Sequence, residues 1–347
     1  MYLYQYELGK ASKIITEELF NLKPGETFVI TADTESDPRV VDATASAAFA
    51  IGAKPMVIWM ASPLGNNKAA DPMLPIESLA GALKGADAWV EYNKQPIFDS
   101  TPYRIAMKEN IKLRHMNLPG LDSAAMVRCI GRVNFRVLKE FLQGVADATK
   151  KAKHVRMTTP AGGDVEFNNV SGRPSPPIGD GYADKPGSYF MAGQIAWIPE
   201  LASINGTIVF DGAINIPCGI LKEPVVLTLV SGKIVKIEGG VQAREFEAWL
   251  DSFHHPQMRG IAAVSYGFNP GSIMTNNVLE QETIWGCVQW AIGSIGSMLL
   301  PPDGVPAPAH ANGVCLSCSV WLDGNLFMEK GKILVPKLKD LAKKLGK

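Results

Sequence analysis

Near the N-terminus, two apolar runs flank an alanine-rich segment, and this order restricts the fold more than any other feature of the chain. The first run, Thr27–Ala32, has the β-branched and aromatic residues that strands prefer. The alanine-rich segment, Val40–Gly52, follows a polar loop and has helical character, and the second run is Met56–Met60. Strand, helix and strand in this order form the repeating unit of a parallel α/β sheet.

The same alternation continues towards residue 150. We therefore predict that residues 1–150 form a doubly wound, Rossmann-like α/β domain. Ligands of such sheets bind beyond the carboxyl ends of the strands, which directs attention to the loops Asp33–Asp37 and Asn93–Ser100. Neither of the glycine-rich phosphate-binding motifs occurs in the chain, so a nucleotide cradle is not expected. The remaining predicted elements are helices at Ile76–Leu83 and Thr101–Glu109 and strands at Ala88–Tyr92 and Lys112–Met116.

Residues 151–347 have a different pattern, with short β-rich runs separated by glycine, asparagine and aspartate turns. We predict a β-rich α+β domain from this pattern. Two helices are expected to pack on its sheet, an amphipathic one at Ala243–Phe253 and an apolar one at about Thr283–Ile295. The predicted strands begin at Val155, Asp164, Gly206, Val225 and Lys233.

The charge balance excludes several classes of partner. The 347 residues include 34 Lys and Arg and 34 Asp and Glu, so the formal net charge is zero. No basic excess favours nucleic acid or an anionic membrane surface, and the expected partners are a small molecule and a second copy of the chain. The N-terminus lacks a signal-peptide pattern and no apolar run reaches membrane-spanning length, which predicts a cytoplasmic protein. Five scattered cysteines indicate reduced thiols.

Four motifs occur in an order that resembles a known superfamily. Together they resemble 2,5-dihydroxypyridine 5,6-dioxygenase and, more distantly, metallopeptidases of the aminopeptidase T type. The resemblance covers most of the chain and implies an N-terminal α/β domain, a C-terminal β-rich domain that carries a metal, and a homodimer. The motifs are Pro160–Asp164 followed by Gly172-Arg-Pro, Ala196–Phe210, Tyr266–Pro270, and His310-x-Asn312 before Leu322-Asp-Gly.

The dioxygenase resemblance implies three iron ligands, of which the chain retains one. One family histidine falls at or near Ala263, and the other two ligands form a His-x-Asp pair that here reads His310-Ala-Asn312. A strand places residues i and i+2 on one face, so His310 and Asn312 are expected to lie side by side. An amide is a poorer ligand for a divalent metal than a carboxylate. We therefore predict that no cofactor is tightly held, with Fe(II) bound through His310 as the alternative.

The aminopeptidase resemblance implies a different ligand set, which the sequence lacks. The first glutamate of that family falls near Gln194, the second glutamate at Ile261–Ala263, and a histidine near Gly286. A dizinc centre is therefore not predicted, and aminopeptidase activity is the least favoured enzymatic interpretation.

Several other side chains are candidates for catalysis or binding, each with a structural alternative. Asp99 corresponds to the position of a pocket base in the dioxygenases, but it is also a candidate N-cap of the helix that begins near Thr101. Glu282, near a predicted helix start, either reaches a ligand or complements the helix dipole. Gln194 and Tyr266 are candidate substrate contacts.

The leading hypothesis is a metal-independent enzyme of aromatic or N-heterocycle catabolism that performs a hydrolytic or other acid–base conversion of a small ring compound. Asp99 is the predicted base, and His310 and Asn312 are predicted to bind or polarise a substrate oxygen. The first alternative is an iron-dependent, ring-cleaving dioxygenase in which His254 or Glu282 supplies a missing ligand. The second alternative is an inactive paralogue that binds a ring compound without turnover.

Overall fold

The structure, a computed structural model, describes residues 4–172, 178–297 and 299–347, so Arg173 and Pro174 of one quoted motif lie outside the described residues. It contains two compact units. The first consists of the described residues up to Val133 together with Gly181–Ala192, and the second consists of the described residues of Asn134–Asp180 and Gly193–Lys347. The sequence predicts a single boundary at residue 150, whereas the chain enters the second unit at Asn134 and returns to the first unit at Gly181–Ala192. Among the residues described, no helix is both long enough and apolar enough to span a lipid bilayer.

Helices occur in both units. Two of them, Gln5–Lys13 and Ser123–Met126, continue directly into π-helical turns at Ile14–Leu19 and Val127–Gly131. The α-helices are α1 Gln5–Lys13, α2 Pro38–Ala50, α3 Ile76–Lys84, α4 Thr101–Glu109, α5 Ser123–Met126, α6 Phe135–Lys151, α7 Val241–Ser252, α8 Val278–Thr283 and α9 Pro336–Lys344.

The strands are more numerous in the second unit than in the first. They are β1 Thr27–Asp33, β2 Lys54–Met60, β3 Ala88–Glu91, β4 Arg114–Asn117, β5 His154–Thr158, β6 Asp164–Asn168, β7 Ile178–Gly179, β8 Gly187–Phe190, β9 Gln194–Trp197, β10 Asn205–Phe210, β11 Ala213–Ile214, β12 Gly219–Ile220, β13 Val225–Val230, β14 Lys233–Gly239, β15 Ile261–Gly267, β16 Cys287–Ile295, β17 Val305–Cys315, β18 Ser319–Leu322, β19 Asn325–Glu329 and β20 Lys332–Ile333.

The first unit is built on a parallel sheet with the strand order β2–β1–β3–β4–β8. All pairs of neighbouring strands in this sheet are parallel. This confirms the α/β class, which was predicted from the sequence segments that form β1 to β4. Asp37 is the N-cap residue of α2, because its carboxylate accepts a hydrogen bond from the backbone N–H of Arg39. Pro38, the first residue of the helix, is favoured at that position. The sequence does not predict the fifth strand, β8, which comes from much later in the chain.

The second unit contains two antiparallel sheets. Their strand orders are β14–β13–β10–β6–β5–β18–β19–β20 and β12–β11–β17–β16–β15–β9–β7. Aromatic side chains fill the space between the sheets: the rings of Phe167 and Trp290 have centroids 5.7 Å apart. Gly313 on β17 lies so close to the ring of Phe210 that any side chain at this position would collide with it. The fold is therefore of mixed α/β class, with a parallel sheet in one unit and antiparallel sheets in the other.

The helix predicted at Thr283–Ile295 is wrong. A short helix, α8, ends at Thr283, and the strand β16 begins at Cys287. Both faces of β16 are buried, so its sequence is a nearly continuous apolar run rather than an alternating one. Periodicity alone does not distinguish such a strand from a buried helix. The difference matters for function, because β16 pairs with the strand that carries His310.

Candidate functional site

The seven-stranded sheet of the second unit places the predicted residues of β17 on one face. Residues directly opposite each other on neighbouring antiparallel strands point to the same side of a sheet. Asn312 on β17 lies opposite Ala291 on β16, and Ala291 lies opposite Ala263 on β15. His310 lies opposite Gly293, on the same side as Asn312. We call the side that these residues share the His310 face.

The opposite face of this sheet is part of the hydrophobic core. Tyr266, predicted as a substrate contact, lies on that face and is 0% exposed. Its ring packs against Trp197 and Phe268, with centroid distances of 4.8 and 5.8 Å. Burial raises the pKa of its phenol, so the hydroxyl stays protonated. The structure therefore does not bring Tyr266 to the His310 face.

His310 has one ring nitrogen fixed by the backbone and the other directed at Asn312. Its Nδ1 atom lies 2.9 Å from the carbonyl oxygen of Ser294. A carbonyl oxygen only accepts hydrogen bonds, so Nδ1 carries the proton in this contact. The Nε2 atom lies 3.2 Å from Oδ1 of Asn312. The imidazole is exposed, so a solute can reach it.

Asn312 connects His310 to Glu282. Its Nδ2 atom donates a hydrogen bond of 2.7 Å to Oε1 of Glu282. Its backbone N–H donates to Oδ1 of Asn215 at 2.8 Å, which fixes the strand at this position. Burial raises the pKa of Glu282 to about 7, although the hydrogen bond from Asn312 opposes the shift. Three of the residues predicted from the sequence thus form one connected polar group.

A glutamine that the sequence analysis missed extends this group. The side-chain amide of Gln289 donates a hydrogen bond to the backbone carbonyl of Glu282. Its Oε1 atom accepts one from Nε2 of Gln194 at 3.4 Å, so Gln194 is joined to the same group. Gln289 is 1% exposed and lies in the apolar run of β16. A buried amide in an apolar strand is rare unless it has a hydrogen-bond partner. The presence of a glutamine within an apolar run of the sequence is therefore the signal that would have identified Gln289.

Small residues adjoin His310 and Asn312. Gly293 has a φ of 96°, and a side chain there would collide with the backbone carbonyl of Ala309. Ala263 and Ala291 are buried in an apolar cluster with Leu300. The His310 face thus combines hydrogen-bonding groups with an adjacent buried apolar cluster.

Asp99 belongs to the first unit and has a different environment. Its Oδ1 atom lies 2.9 Å from Nε of Arg104, and its side chain is 46% exposed. The N-cap residue of α4 is Ser100 rather than Asp99. Asp99 also has a φ of 63°, which is uncommon for residues other than glycine. Its role as a base stays a prediction.

The first unit also has an open cleft of about 520 Å³ beyond the carboxyl ends of β1, β3 and β4. The loop Asp33–Asp37 and Lys94 border this cleft, as the sequence indicated for a parallel sheet. Two of the carboxylates that line it have structural partners: Asp37 caps α2 and pairs with Arg39 at 2.7 Å, and Asp122 caps α5. These charges stabilise helix starts, so we assign no ligand to the cleft.

Comparison with known proteins identifies one family. A family profile described as 2,5-dihydroxypyridine 5,6-dioxygenase matches residues 14–335 of the chain. The 2,5-dihydroxypyridine 5,6-dioxygenase of Pseudomonas putida strain KT2440 is 26% identical over 198 residues, which are 54% of this chain and 56% of that protein. The alignment therefore spans little more than half the length of this relative.

Two solved structures share the fold. The 2,5-dihydroxypyridine dioxygenase from Pseudomonas putida KT2440 superimposes with a TM-score of 0.77 at 19% identity, covering 96% of this chain and 99% of that chain. Wild-type AmpT from Thermus thermophilus superimposes with a TM-score of 0.70 at 14% identity, covering 96% of this chain and 100% of that chain. Identities this low establish the fold alone. Together with the family profile and the sequence relative, this shared fold confirms the superfamily resemblance that the motifs indicated.

These similarities overturn two expectations from the sequence. The hypothesis of a metal-independent hydrolytic enzyme is wrong, because the matching family is one of dioxygenases, the first alternative. The expectation that no cofactor is tightly held is wrong for the same reason, and its alternative, Fe(II), is favoured, since a dioxygenase of this kind normally depends on Fe(II). Both errors arose because the leading hypothesis treated each missing family ligand as a loss, whereas a replacement ligand was considered only in the alternative.

The His310 face offers an incomplete set of iron ligands. Among the residues that the structure describes, no cluster of three or more His, Cys, Asp or Glu side chains is arranged to hold a metal ion. His310 and Glu282 provide one imidazole nitrogen and one carboxylate, and Asn312 provides an amide oxygen. Non-haem Fe(II) oxygenases use two histidines and one carboxylate. The donors present match two of these three types, so the set is one histidine short of such a site.

Proposed function

The chain belongs to the 2,5-dihydroxypyridine 5,6-dioxygenase family, and from this premise we propose that it cleaves the ring of a small hydroxylated N-heterocycle with O2. Both atoms of O2 enter the product of such a reaction, and the electron-rich ring supplies the electrons, so no separate reductant is required. The observation that carries the proposal is the connected polar group of His310, Asn312 and Glu282 on one sheet face.

The His310 face suits both parts of such a substrate. The buried apolar cluster that contains Ala263 and Ala291 adjoins the polar groups and gives the site an apolar side for a ring. The amides of Gln194 and Asn312 and the imidazole of His310 supply donors and acceptors for ring hydroxyl groups and a ring nitrogen. Polar groups placed beside an apolar surface fix the orientation of a ligand, and a fixed orientation is what regioselective ring cleavage requires.

The metal ligands in this proposal are His310 and Glu282, with the amide oxygen of Asn312 as a third donor. Bound Fe(II) would supply the one-electron chemistry through which O2 reacts with a ring compound. The Ser294 carbonyl fixes the orientation of the His310 imidazole, and Gln289 holds the backbone of Glu282. These two hydrogen bonds restrict the motion of the donors before any ligand binds.

Other expectations belong to this proposal as well. We propose a cytoplasmic location, a homodimer and a small ring compound as the partner, with neither nucleic acid nor membrane as a partner. Asp99 remains the proposed base, and its carboxylate forms an ion pair with Arg104.

Oxygen consumption tests the proposed function. With 2,5-dihydroxypyridine as the substrate and Fe(II) added, the wild-type chain is expected to consume O2 in an oxygen electrode. His310→Ala is expected to reduce kcat/KM by about 100-fold or more, which corresponds to ~2.7 kcal/mol. His154→Ala is the matched control, because His154 lies on β5 beside Glu166, where its Nε2 is 3.6 Å from the carboxylate. Absence of O2 consumption by the folded wild-type chain with every pyridine diol tested would contradict the proposal.

A further inference from the structure

We infer that the free edge of strand β2, Lys54–Met60, is the surface through which two copies of this chain associate. β2 is the terminal strand in the order β2–β1–β3–β4–β8, so only its edge towards β1 is paired within the sheet. The inference rests on the homodimer of the proposed function, to which it adds a surface and a symmetry, and it is independent of the proposed ring cleavage.

The edge of β2 lacks the features that keep the other described sheet edges from pairing with another chain. A long apolar edge strand pairs readily unless it is short, charged or interrupted by a bulge. The edge strands β7, β8, β12 and β20 have at most four residues. β14 has seven, but it carries Lys233 and Lys236, and its register against β13 shifts part of the way along. β2 also has seven residues, and none from Pro55 to Met60 is charged.

Apolar side chains beside this edge are exposed on both faces of the sheet. Trp59 is 47% exposed and Met56 is 38% exposed. They lie on opposite faces, because successive side chains of a strand alternate and these two are three positions apart. A strand added at the edge covers both of them, and tryptophan is among the residues that contribute most to protein interfaces.

The backbone groups of β2 point alternately to the paired edge and to the free edge. The N–H of Lys54 donates to the carbonyl of Glu26 at 2.7 Å, so the backbone of residue 54 faces β1. The N–H and C=O of one residue point to the same edge, and those of the next residue point to the other. The backbone groups of Pro55, Val57 and Trp59 therefore face the free edge, with Val57 at the middle of the seven residues.

A twofold axis at Val57 pairs this edge with its own copy over the full length of the strand. In this antiparallel register Val57 lies opposite Val57 of the second copy, and Pro55 lies opposite Trp59 of the second copy. The two Val57 residues exchange two N–H···O bonds, and the N–H of each Trp59 donates to the carbonyl of the opposite Pro55. Pro55 has no N–H to donate, but at the free edge this interrupts no hydrogen bond of its own sheet.

Charge favours the antiparallel direction and a second copy as the occupant. Lys54 is the one charged residue of β2. In the antiparallel pair the two Lys54 residues lie at opposite ends, about 20 Å apart at ~3.3 Å per residue. This exceeds the Debye length of about 8 Å, whereas a parallel pair brings the two lysines together. Each copy has one such unprotected edge, so the twofold pair is closed and does not grow into a fibre.

Sedimentation equilibrium of the whole chain tests this surface. The wild type is expected to sediment with twice the chain mass of 37.4 kDa. Trp59→Lys places a charge at an exposed position of the edge and is expected to raise the dissociation constant of the dimer at least about 100-fold, because both copies lose the same anchor. Val235→Lys is the matched control. Val235 is 57% exposed on β14, the other edge strand of seven residues, and its replacement is expected to leave the dimer intact.

Amide hydrogen exchange resolved to single residues tests the register without relying on a variant that folds poorly. In the wild-type dimer the amide of Val57 is expected to be protected, although it has no partner within its own sheet. In Trp59→Lys this protection is expected to be lost. The amides of Met56 and Ile58 face β1 and are the internal control, because they are expected to stay protected in both proteins.

Three results would overturn the inference. A monomeric wild type would remove the homodimer and its surface together. A dimer that the folded Trp59→Lys variant leaves intact would place the homodimer on another surface, as would a wild-type dimer in which the amide of Val57 exchanges without protection. Consumption of O2 is measured independently of all three, so failure of the surface is distinguishable from failure of the proposed ring cleavage.

Discussion

Two groups of glutamate and histidine in this protein place the same chemistry in opposite surroundings. In the first unit, Oε2 of Glu91 lies 3.4 Å from Nε2 of His115, and both side chains are fully buried. In the second unit, Glu282 and His310 are joined through the amide of Asn312, and the imidazole is exposed. Direct contact without access to solvent suits a structural role, whereas an amide bridge with an open imidazole suits ligand binding.

The surroundings of the buried pair support this distinction. The ring of Trp89 stacks on the imidazole of His115 with a centroid distance of 4.0 Å. The N–H of Ile97 donates to Oε1 of Glu91 at 2.6 Å, and the hydroxyl of Ser188 contacts Nδ1 of His115 at 3.1 Å. A carboxylate beside an imidazole is therefore not by itself the sign of an active site. The access of a solute to the imidazole distinguishes the second group from the first.

Removal of Glu91 is expected to have the largest effect on stability. Glu91→Ala leaves the N–H of Ile97 without its acceptor and the imidazole of His115 without its carboxylate neighbour, and both are buried. We expect a loss of about 2–5 kcal/mol in the free energy of unfolding, because each buried polar group left unsatisfied costs about 1–3 kcal/mol. Glu282→Ala, at a partly exposed position with one side-chain hydrogen bond, is expected to lose about 1 kcal/mol. Urea unfolding followed by circular dichroism measures both losses, and similar values would remove the distinction between the two groups.

The pH dependence of stability is expected to differ in sign between the two groups. Burial lowers the pKa of His115 below its usual 6.5, although Glu91 opposes the shift, so the unfolded chain binds a proton that the folded chain does not. This contribution to stability is therefore lost as the pH falls below 6.5. The pKa of Glu282 is raised from 4.5 to about 7, so the folded chain holds a proton that the unfolded chain releases, and this contribution is lost as the pH rises towards 7.

Two variants separate these contributions in the metal-free protein. His115→Gln is expected to reduce the decrease in the free energy of unfolding between pH 6.5 and 5. Glu282→Gln is expected to reduce the decrease that accompanies a rise in pH from 4.5 to about 7. Urea titrations at each pH provide the measurement. If the pH dependence of the free energy of unfolding changed with the same sign in both variants, the predicted difference between the two groups would be wrong.

Asp37 is expected to have an intermediate effect on stability. Burial raises the pKa of its carboxyl, but hydrogen bonds from Arg39 and Ser123 outweigh this and lower it to about 2. Asp37→Ala removes the N-cap of α2 and the acceptor of the Ser123 hydroxyl, so a loss of about 1–2 kcal/mol is expected. Asp37→Asn keeps the capping oxygen and is the matched control, with a smaller loss. Equal thermal shifts for the two variants would contradict a capping role.

The smallest effect on stability is expected at Asp99. Its ion pair with Arg104 is largely exposed, and pairs of this kind contribute at most about 1 kcal/mol. Asp99→Asn is therefore expected to leave the thermal midpoint nearly unchanged while it reduces kcat for ring cleavage, if Asp99 serves as the base. Lys236, paired with Glu238 at 2.7 Å, provides a control ion pair on the surface. An unchanged kcat in Asp99→Asn would exclude Asp99 as the base.

The parts of this protein that the sequence predicts correctly depend on local geometry. The strand and helix of the first α/β unit follow from apolar runs and turn residues, and the placement of His310 beside Asn312 follows from the period of two in a strand. The contact with Glu282 and the role of Gln289 were not predictable in this way. They depend on the register of β16 against β17 and on the position of α8, which long-range packing determines.

The failed functional hypothesis has the same physical origin. The sequence shows that position 312 lacks a carboxylate, but it does not show that Glu282, separated from it by 30 positions, reaches the same amide. An apolar run interpreted as a helix concealed this, because the helix assigned to Thr283–Ile295 would have replaced the strand that pairs with β17. A ligand set is therefore better judged after the strand register is known.

Labelling with 18O2 tests the central claim, that the His310 face supports ring cleavage by O2, most directly. The Fe(II)-loaded chain is incubated with 2,5-dihydroxypyridine under 18O2, and the ring-opened product is analysed by mass spectrometry. We expect both labelled oxygen atoms in the product of the wild-type chain and no labelled product with His310→Ala. A ring-opened product that takes its new oxygen from water instead would contradict the account.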